Sequence, residues 1–232
     1  VGLMYGDTKL SVLLEIDVPL QDQNIKVQVY KHMVGSIPVY LLGHEKITQK
    51  LYTSDKETRL KQEIILGIGG LRALEALGIH PIAYHLNEGH SAFLALELIR
   101  HEMQEHKIGF GEAISAARQR IIFTNHTLVA AGREVYSNDL VALMLAGYAQ
   151  ELGVPVAEVV KLGLVQESSA FSMTMLSSRM SEKINAVSKL HAKKAAEIWT
   201  DHPMIAVTNG IHLKTWDQVG DNLVVGHQKQ KE

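Results

Sequence analysis

Three short apolar runs that each end in a polar tip restrict the fold of this chain more than any other feature. Ile79 to Ala83 leads into Tyr84-His85-Leu86-Asn87-Glu88-Gly89-His90. Ile121-Ile122-Phe123 leads into Thr124-Asn125-His126-Thr127, and Ile205-Ala206-Val207 into Thr208-Asn209-Gly210-Ile211-His212. Short continuous apolar runs are how buried parallel strands read. Ligands of an open α/β sheet bind beyond the carboxyl ends of its strands, so three tips of one type predict one shared pocket. Each tip also fits a plain strand-to-helix turn with an Asn cap, the cap here being Asn87, which would set His90 in the first helical turn.

A different period precedes these runs. Val12, Leu14 and Ile16, then Ile25, Val27 and Val29, alternate with their neighbours, and Asp22-Gln23-Asn24 separates them as a turn. Ile37 to Leu42 follows, with Pro38 marking a strand start or an edge. Residues 1–56 therefore read as a small antiparallel meander. From Glu57 apolar residues recur every three or four positions, from Leu60 to Leu77, which predicts a helix ended by Gly78. Gly67-Ile68-Gly69-Gly70 inside it lacks the Lys-Ser/Thr pair of a phosphate loop, and a close backbone approach is the stronger of the two readings.

Further on, Ile79–Leu86 reads as a buried strand and Phe93, Leu96, Ile99 and Met103 as the inner stripe of a helix. Helices are also predicted over 110–120, 135–151 and 155–163, and over a long stretch from Phe171 to Trp199 carrying Met173, Leu176, Met180, Ile184, Val187 and Leu190. Residues 57–220 thus form an α/β region, and 221–232 a thin polar tail. No metal site is expected: His101 and His106, like His85 and His90, are five apart and do not share a helix face. A formal net charge of -2 gives no field to draw the chain to nucleic acid or anionic lipid. No apolar run reaches the about 20 residues of a membrane helix. The absence of cysteine excludes disulfides and thiolate chemistry and is compatible with a reducing, cytoplasmic setting. A start at Val-Gly-Leu, with neither Met nor a basic leader, reads as a piece of something longer.

Five ordered segments resemble the α-glucan (glycogen/maltodextrin) phosphorylases: Arg59-Leu60-Lys61-Gln62-Glu63, Leu86-Asn87-Glu88-Gly89-His90, Thr124-Asn125-His126-Thr127, the stretch from Ser172 to His191 with Asn185-Ala186-Val187, and Thr208-Asn209-Gly210-Ile211 with Trp216. Glu88-Gly89 stands where the better-known members have Asp-Thr and resembles the short bacterial and archaeal branch. The resemblance covers part of the first lobe only. It lacks the Gly-Gly-Leu-Gly loop and the whole second lobe, whose lysine carries pyridoxal phosphate.

The resemblance implies a partial Rossmann-like N-terminal lobe of a two-lobed glycosyltransferase B fold. It implies phosphorolysis of α-1,4-glucan by inorganic phosphate to glucose 1-phosphate with retention, pyridoxal phosphate in the full-length enzyme, and room for a homo-oligomer. By the same resemblance, His126 is the catalytic residue, holding the sugar's 6-hydroxyl while its carbonyl faces the developing positive charge. Asn87, Glu88 and His90 bind substrate, and Thr124, Asn125 and Asn209 are scaffold. The chain alone is expected to be inactive. A nucleotide-sugar-dependent glycosyltransferase of the same fold and a non-catalytic glucan-binding module are the alternatives.

Overall fold

The computed structural model of the chain describes residues 4–5, 8–51, 53–129, 134–165 and 170–216. The polar tail, including the expected boundary at 220, lies outside them. A short antiparallel pair, β1 (Met4–Tyr5) and β2 (Thr8–Lys9), comes first. The meander follows as expected: β3 (Val12–Leu20), β4 (Gln23–Val34) and β5 (Ile37–Gly43) pair antiparallel in that order, and Pro38 lies on an edge strand. The buried members of β3 and β4, Ile16, Val18, Val27 and Val29, face one core.

Asp55 opens the first helix, its carboxylate accepting the Thr58 N–H at 2.8 Å. The helical run is continuous but changes winding: α1 (Lys56–Ile64), a π-helical turn (Ile65–Gly69) and α2 (Gly70–Ala76). Gly67 sits in the π turn because a neighbour comes too close for a side chain. A Cβ there would lie 2.6 Å from the Leu94 nitrogen. The close-approach reading therefore holds for Gly67 but not for the whole run: Gly69 faces only side chains and Gly70 faces open space. Gly78, at φ +68, ends the helix in the left-handed conformation a glycine adopts freely.

The second sheet is parallel. Its strands are β6 (Tyr84–Asn87), β7 (Ile121–Asn125), β10 (Lys183–Ala186) and β11 (Ile205–Ala206), in the order β11-β10-β7-β6. Between them run a 3₁₀ turn (Gly89–Ser91), α3 (Leu94–His106), α4 (Phe110–Arg118), a small antiparallel pair of β8 (Val135–Ser137) with β9 (Ala170–Ser172), and helices α5 (Asn138–Met144), α6 (Ala146–Leu152), α7 (Val156–Lys161), α8 (Met173–Arg179) and α9 (Lys189–Ile198). α10 (Leu213–Trp216) closes the described chain. The two sheets share one hydrophobic core, and the turn after β3 docks on the helices through Gln21 N–H to the Met144 carbonyl at 2.8 Å.

Three expectations need correction. The stretch from Phe171 to Trp199 is not one helix but strand, helix, strand and helix, with β10 in its middle. Ile184 and Ala186 are buried on one side of β10, a two-residue period too short to break the helical count. Ser188 then caps α9, accepting the His191 N–H at 3.1 Å. Similarly, 135–151 begins as a strand, and Ser137 starts the helix after it. Finally, β6 covers only Tyr84–Asn87. Ile82 before it is 92% exposed, so the apolar run at 79–83 is not a buried strand.

Candidate functional site at the sheet's carboxyl edge

Parallel pairing brings the strand ends level. Asn87 of β6 lies opposite Thr124 of β7, and Thr124 lies opposite Asn185 of β10. The first two tips are then laced together. Glu88 N–H donates to the Thr124 carbonyl at 3.0 Å. The Glu88 carboxylate accepts the His126 backbone N–H at 2.6 Å. Asn87 Oδ1 accepts from His126 Nε2, also at 2.6 Å. With its proton on Nε2, the His126 ring presents a lone pair on Nδ1.

Asn87 therefore caps no helix. The chain passes through Glu88 at φ 65 and ψ -179, and α3 begins only at Leu94. That conformation is nearly confined to glycine and costs a non-glycine residue on the order of 1–3 kcal/mol. It puts the Glu88 side chain back over its own tip, against His126. Backbone strain of this kind at the carboxyl edge of a parallel sheet makes Glu88 a candidate for function.

Asn125 is fully buried, and its Oδ1 accepts from His191 Nε2 at 2.8 Å. Burial holds the His191 imidazole below its ordinary value. The Glu88 carboxylate pulls the other way and His126 adds to the lowering, which shows how near both stand. Thr124 donates to Asn185 Oδ1 at 2.6 Å and accepts from His85 Nε2 at 2.6 Å, a row of bonds across β6, β7 and β10. Asn185 and His191 were visible only as parts of a motif. Their signal was Ser188, a cap residue within the supposed helix.

The third tip stands at the same edge, but the run before it is not the buried strand expected: Ile205 is 57% and Val207 53% exposed. Val207 N–H bonds the Ala186 carbonyl at 2.9 Å and Asn209 N–H the Val187 carbonyl at 3.1 Å. Asn209 is exposed, and among the described residues no hydrogen bond joins it to Asn87 or His126. His90 engages a different set of partners through Nδ1. Its Nδ1 is 2.8 Å from Arg59 Nη2 and 3.4 Å from Glu63 Oε1. Arg59, Glu63 and Tyr136 are buried behind it with the half-buried Glu134 at their rim, and the Tyr136 hydroxyl donates to Glu63 at 2.7 Å. Desolvation raises the Glu63 carboxyl against the opposing pull of His90, Tyr136 and Arg59. Glu63, His90 and Glu134 place their ligand atoms within 4.8 Å of one another, close enough for a metal ion. The Arg59 guanidinium takes the cation's place, 3.3 Å from Glu134 and 3.5 Å from Glu63.

A family model of the carbohydrate phosphorylases matches residues 43–222, which include every strand tip described above. The chain belongs to the carbohydrate phosphorylase family. It is 39% identical over 221 residues to a maltodextrin phosphorylase of Thermococcus litoralis, across 88% of this chain and 26% of that protein. It is 31% identical to a glycogen phosphorylase of Mycobacterium tuberculosis, across 87% of this chain and 27% of that one. A glycogen phosphorylase of Aquifex aeolicus is 29% identical, across 92% of this chain and 35% of its own length. The chain thus spans roughly a quarter to a third of these phosphorylases. No helix among its described residues is long and apolar enough to cross a membrane.

Proposed function

We propose that this chain is the glucosyl-gripping portion of an α-glucan phosphorylase of the short bacterial and archaeal branch, a partial Rossmann-like first lobe of a glycosyltransferase B fold. The observation that carries this reading is the pair of tips laced through Asn87, Glu88 and His126 in a chain of this family. The reaction is attack of inorganic phosphate on a terminal α-1,4-glucosyl unit, giving glucose 1-phosphate, in the cytoplasm. Its transition state resembles an oxocarbenium ion, which fixed negative charge and oriented dipoles stabilise. Glu88, with one oxygen held by the His126 N–H, supplies a fixed carboxylate. His126 Nδ1 accepts a hydroxyl proton of the sugar, with the ring aimed by Asn87.

Pyridoxal phosphate does not fit this constellation. Among the described residues, the side chains bonded around Asn87 and His126 are amides, a carboxylate, imidazoles and a hydroxyl. An imine needs a lysine amine, and the cofactor's phosphate needs cationic or N–H donors. The cofactor is then held by residues outside this constellation, and the 232-residue chain by itself does not turn over.

An assay for glucose 1-phosphate from maltodextrin and phosphate tests this. A complete enzyme carrying this lobe should be active and the 232-residue chain inactive; turnover by the chain alone sinks the proposal. In the complete enzyme, His126→Ala should cut kcat/KM by about 10²-fold or more, the scale of one lost transition-state contact, with little change in Tm. Asn125→Ala should instead lower Tm, because it removes the buried acceptor of His191. The reverse pattern would reject the division into site and scaffold.

A further inference from the structure

Arg59 stands outside the residues that grip the sugar, yet it makes a contact only a pure donor can make. Every N–H of a guanidinium donates and none of its atoms accepts. Its Nη2 is 2.8 Å from His90 Nδ1, so Nδ1 presents its lone pair and the ring proton sits on Nε2. Glu63 Oε1, 3.4 Å from the same nitrogen, is the longer and weaker of its two contacts. The guanidinium is itself held firmly. Its Nε faces Glu134 at 3.3 Å and Glu63 at 3.5 Å, and its Nη1 donates to the Leu51 carbonyl at 3.3 Å. Glu134 follows the His126 tip in the chain, whereas His90 follows the Asn87 tip, so one arginine ties both loops together.

We propose that Arg59 is a positioning residue that holds His90 as its Nε2–H tautomer, so that His90 donates to a hydroxyl oxygen of the glucosyl unit. Nε2 lies across the ring from the Arg59 contact, and 36% of the side chain is exposed. The result is a complementary pair: His126 presents an acceptor at Nδ1 and His90 a donor at Nε2. A sugar hydroxyl, which donates and accepts, satisfies either. The sugar contact rests on the function proposed above, and the tautomer does not.

Long-range proton–nitrogen correlation on the 232-residue chain labelled with ¹⁵N-histidine reads the tautomer directly. The parent should show Nε2–H at His90. Arg59→Met should convert it to a mixture, or to Nδ1–H donating to Glu63, with the other histidines unmoved. Arg59→Lys, which keeps a charged donor, should retain Nε2–H. A parent with Nδ1–H overturns the proposal, as does an unchanged pattern in Arg59→Met. If Arg59→Met does not fold, the parent and Arg59→Lys decide. In a complete enzyme, His90→Ala and Arg59→Met should each cut glucose 1-phosphate formation about tenfold, and the double variant no further than the larger single one. Fully additive losses overturn the positioning role. Unchanged rates with Nε2–H intact overturn the glucosyl reading instead.

Discussion

Glu63 and Glu97 are both shut away from solvent, at 1% and 0% exposure, and both face arginines, but their surroundings differ in kind. Glu97 of α3 is saturated. Arg72 Nε and Arg100 Nε each donate to Oε1 at 2.9 Å, Arg100 Nη2 donates at 2.6 Å, and Arg72 Nη2 reaches Oε2 at 3.3 Å. Arg72 also holds the Asp17 carbonyl at 3.1 Å, so this cluster staples the meander to the helices. Glu63 receives one tyrosine hydroxyl at 2.7 Å and has only longer contacts besides, His90 at 3.4 Å and Arg59 at 3.5 Å, and its carboxyl is raised by burial. A carboxylate with its acceptor sites filled by guanidinium is a staple. One left partly charge-starved, with Arg59 at 3.5 Å and His90 at 3.4 Å, is not a staple of that kind.

Placing the same substitution at both sites tests the contrast, and the larger effect belongs to Glu97. Glu97→Gln leaves two guanidiniums without their shared carboxylate and should cost about 3 kcal/mol, because unpairing buried charge is far dearer than losing a neutral bond. Urea denaturation of parent and variant measures it. A loss under 1 kcal/mol would mean that Arg72 and Arg100 are well served by other partners, and the staple reading would fail.

Glu63→Gln should cost about 1 kcal/mol or less at neutral pH, since the amide oxygen still accepts from Tyr136. Its signature is in the pH dependence. A carboxyl raised in the folded state binds its proton more tightly there than in the unfolded chain. The stability it contributes is therefore complete below its ordinary value of 4.5 and is lost as pH rises through the raised folded value. The parent's urea midpoint should fall over that interval more steeply than the variant's. Parallel curves would show that Glu63 is as well paired as Glu97.

The two clusters were unequally legible in the sequence. Arg59 and Glu63 stood out as part of a motif, but their partners did not, because Glu134 and Tyr136 are more than 70 residues away and no spacing rule connects them. Glu97 looked like an ordinary helix residue. The meander was readable because its two-residue period is clean, and β7 because Ile121-Ile122-Phe123 lies within it; β6 begins only after the 79–83 run, and β11 is two residues, both exposed, where a buried strand was expected. β10 was not readable, because four residues with two buried side chains cannot outvote a helical count extending on both sides. Asn87 had the right identity for a cap, but the positive φ at Glu88 diverted the chain, and no local rule foresees a glutamate there. The convergence of Asn87, Glu88 and His126 was foreseeable because parallel strands must end on the same edge.

The rim of the Glu97 cluster yields the smallest effect. Glu151 meets Arg72 at 2.7 Å and Arg100 at 3.7 Å, but its side chain is 36% exposed. Water solvates it in either state, and its short contact adds little to a guanidinium that already has Glu97. Glu151→Ala should cost about 0.5 kcal/mol, within the range of exposed pairs, and that difference should shrink as salt is raised. If Glu151→Ala cost as much as Glu97→Gln and resisted salt, the three charges would behave as one network. The buried carboxylate would then lose its separate standing, and the contrast with Glu63 would have to rest on pH dependence alone.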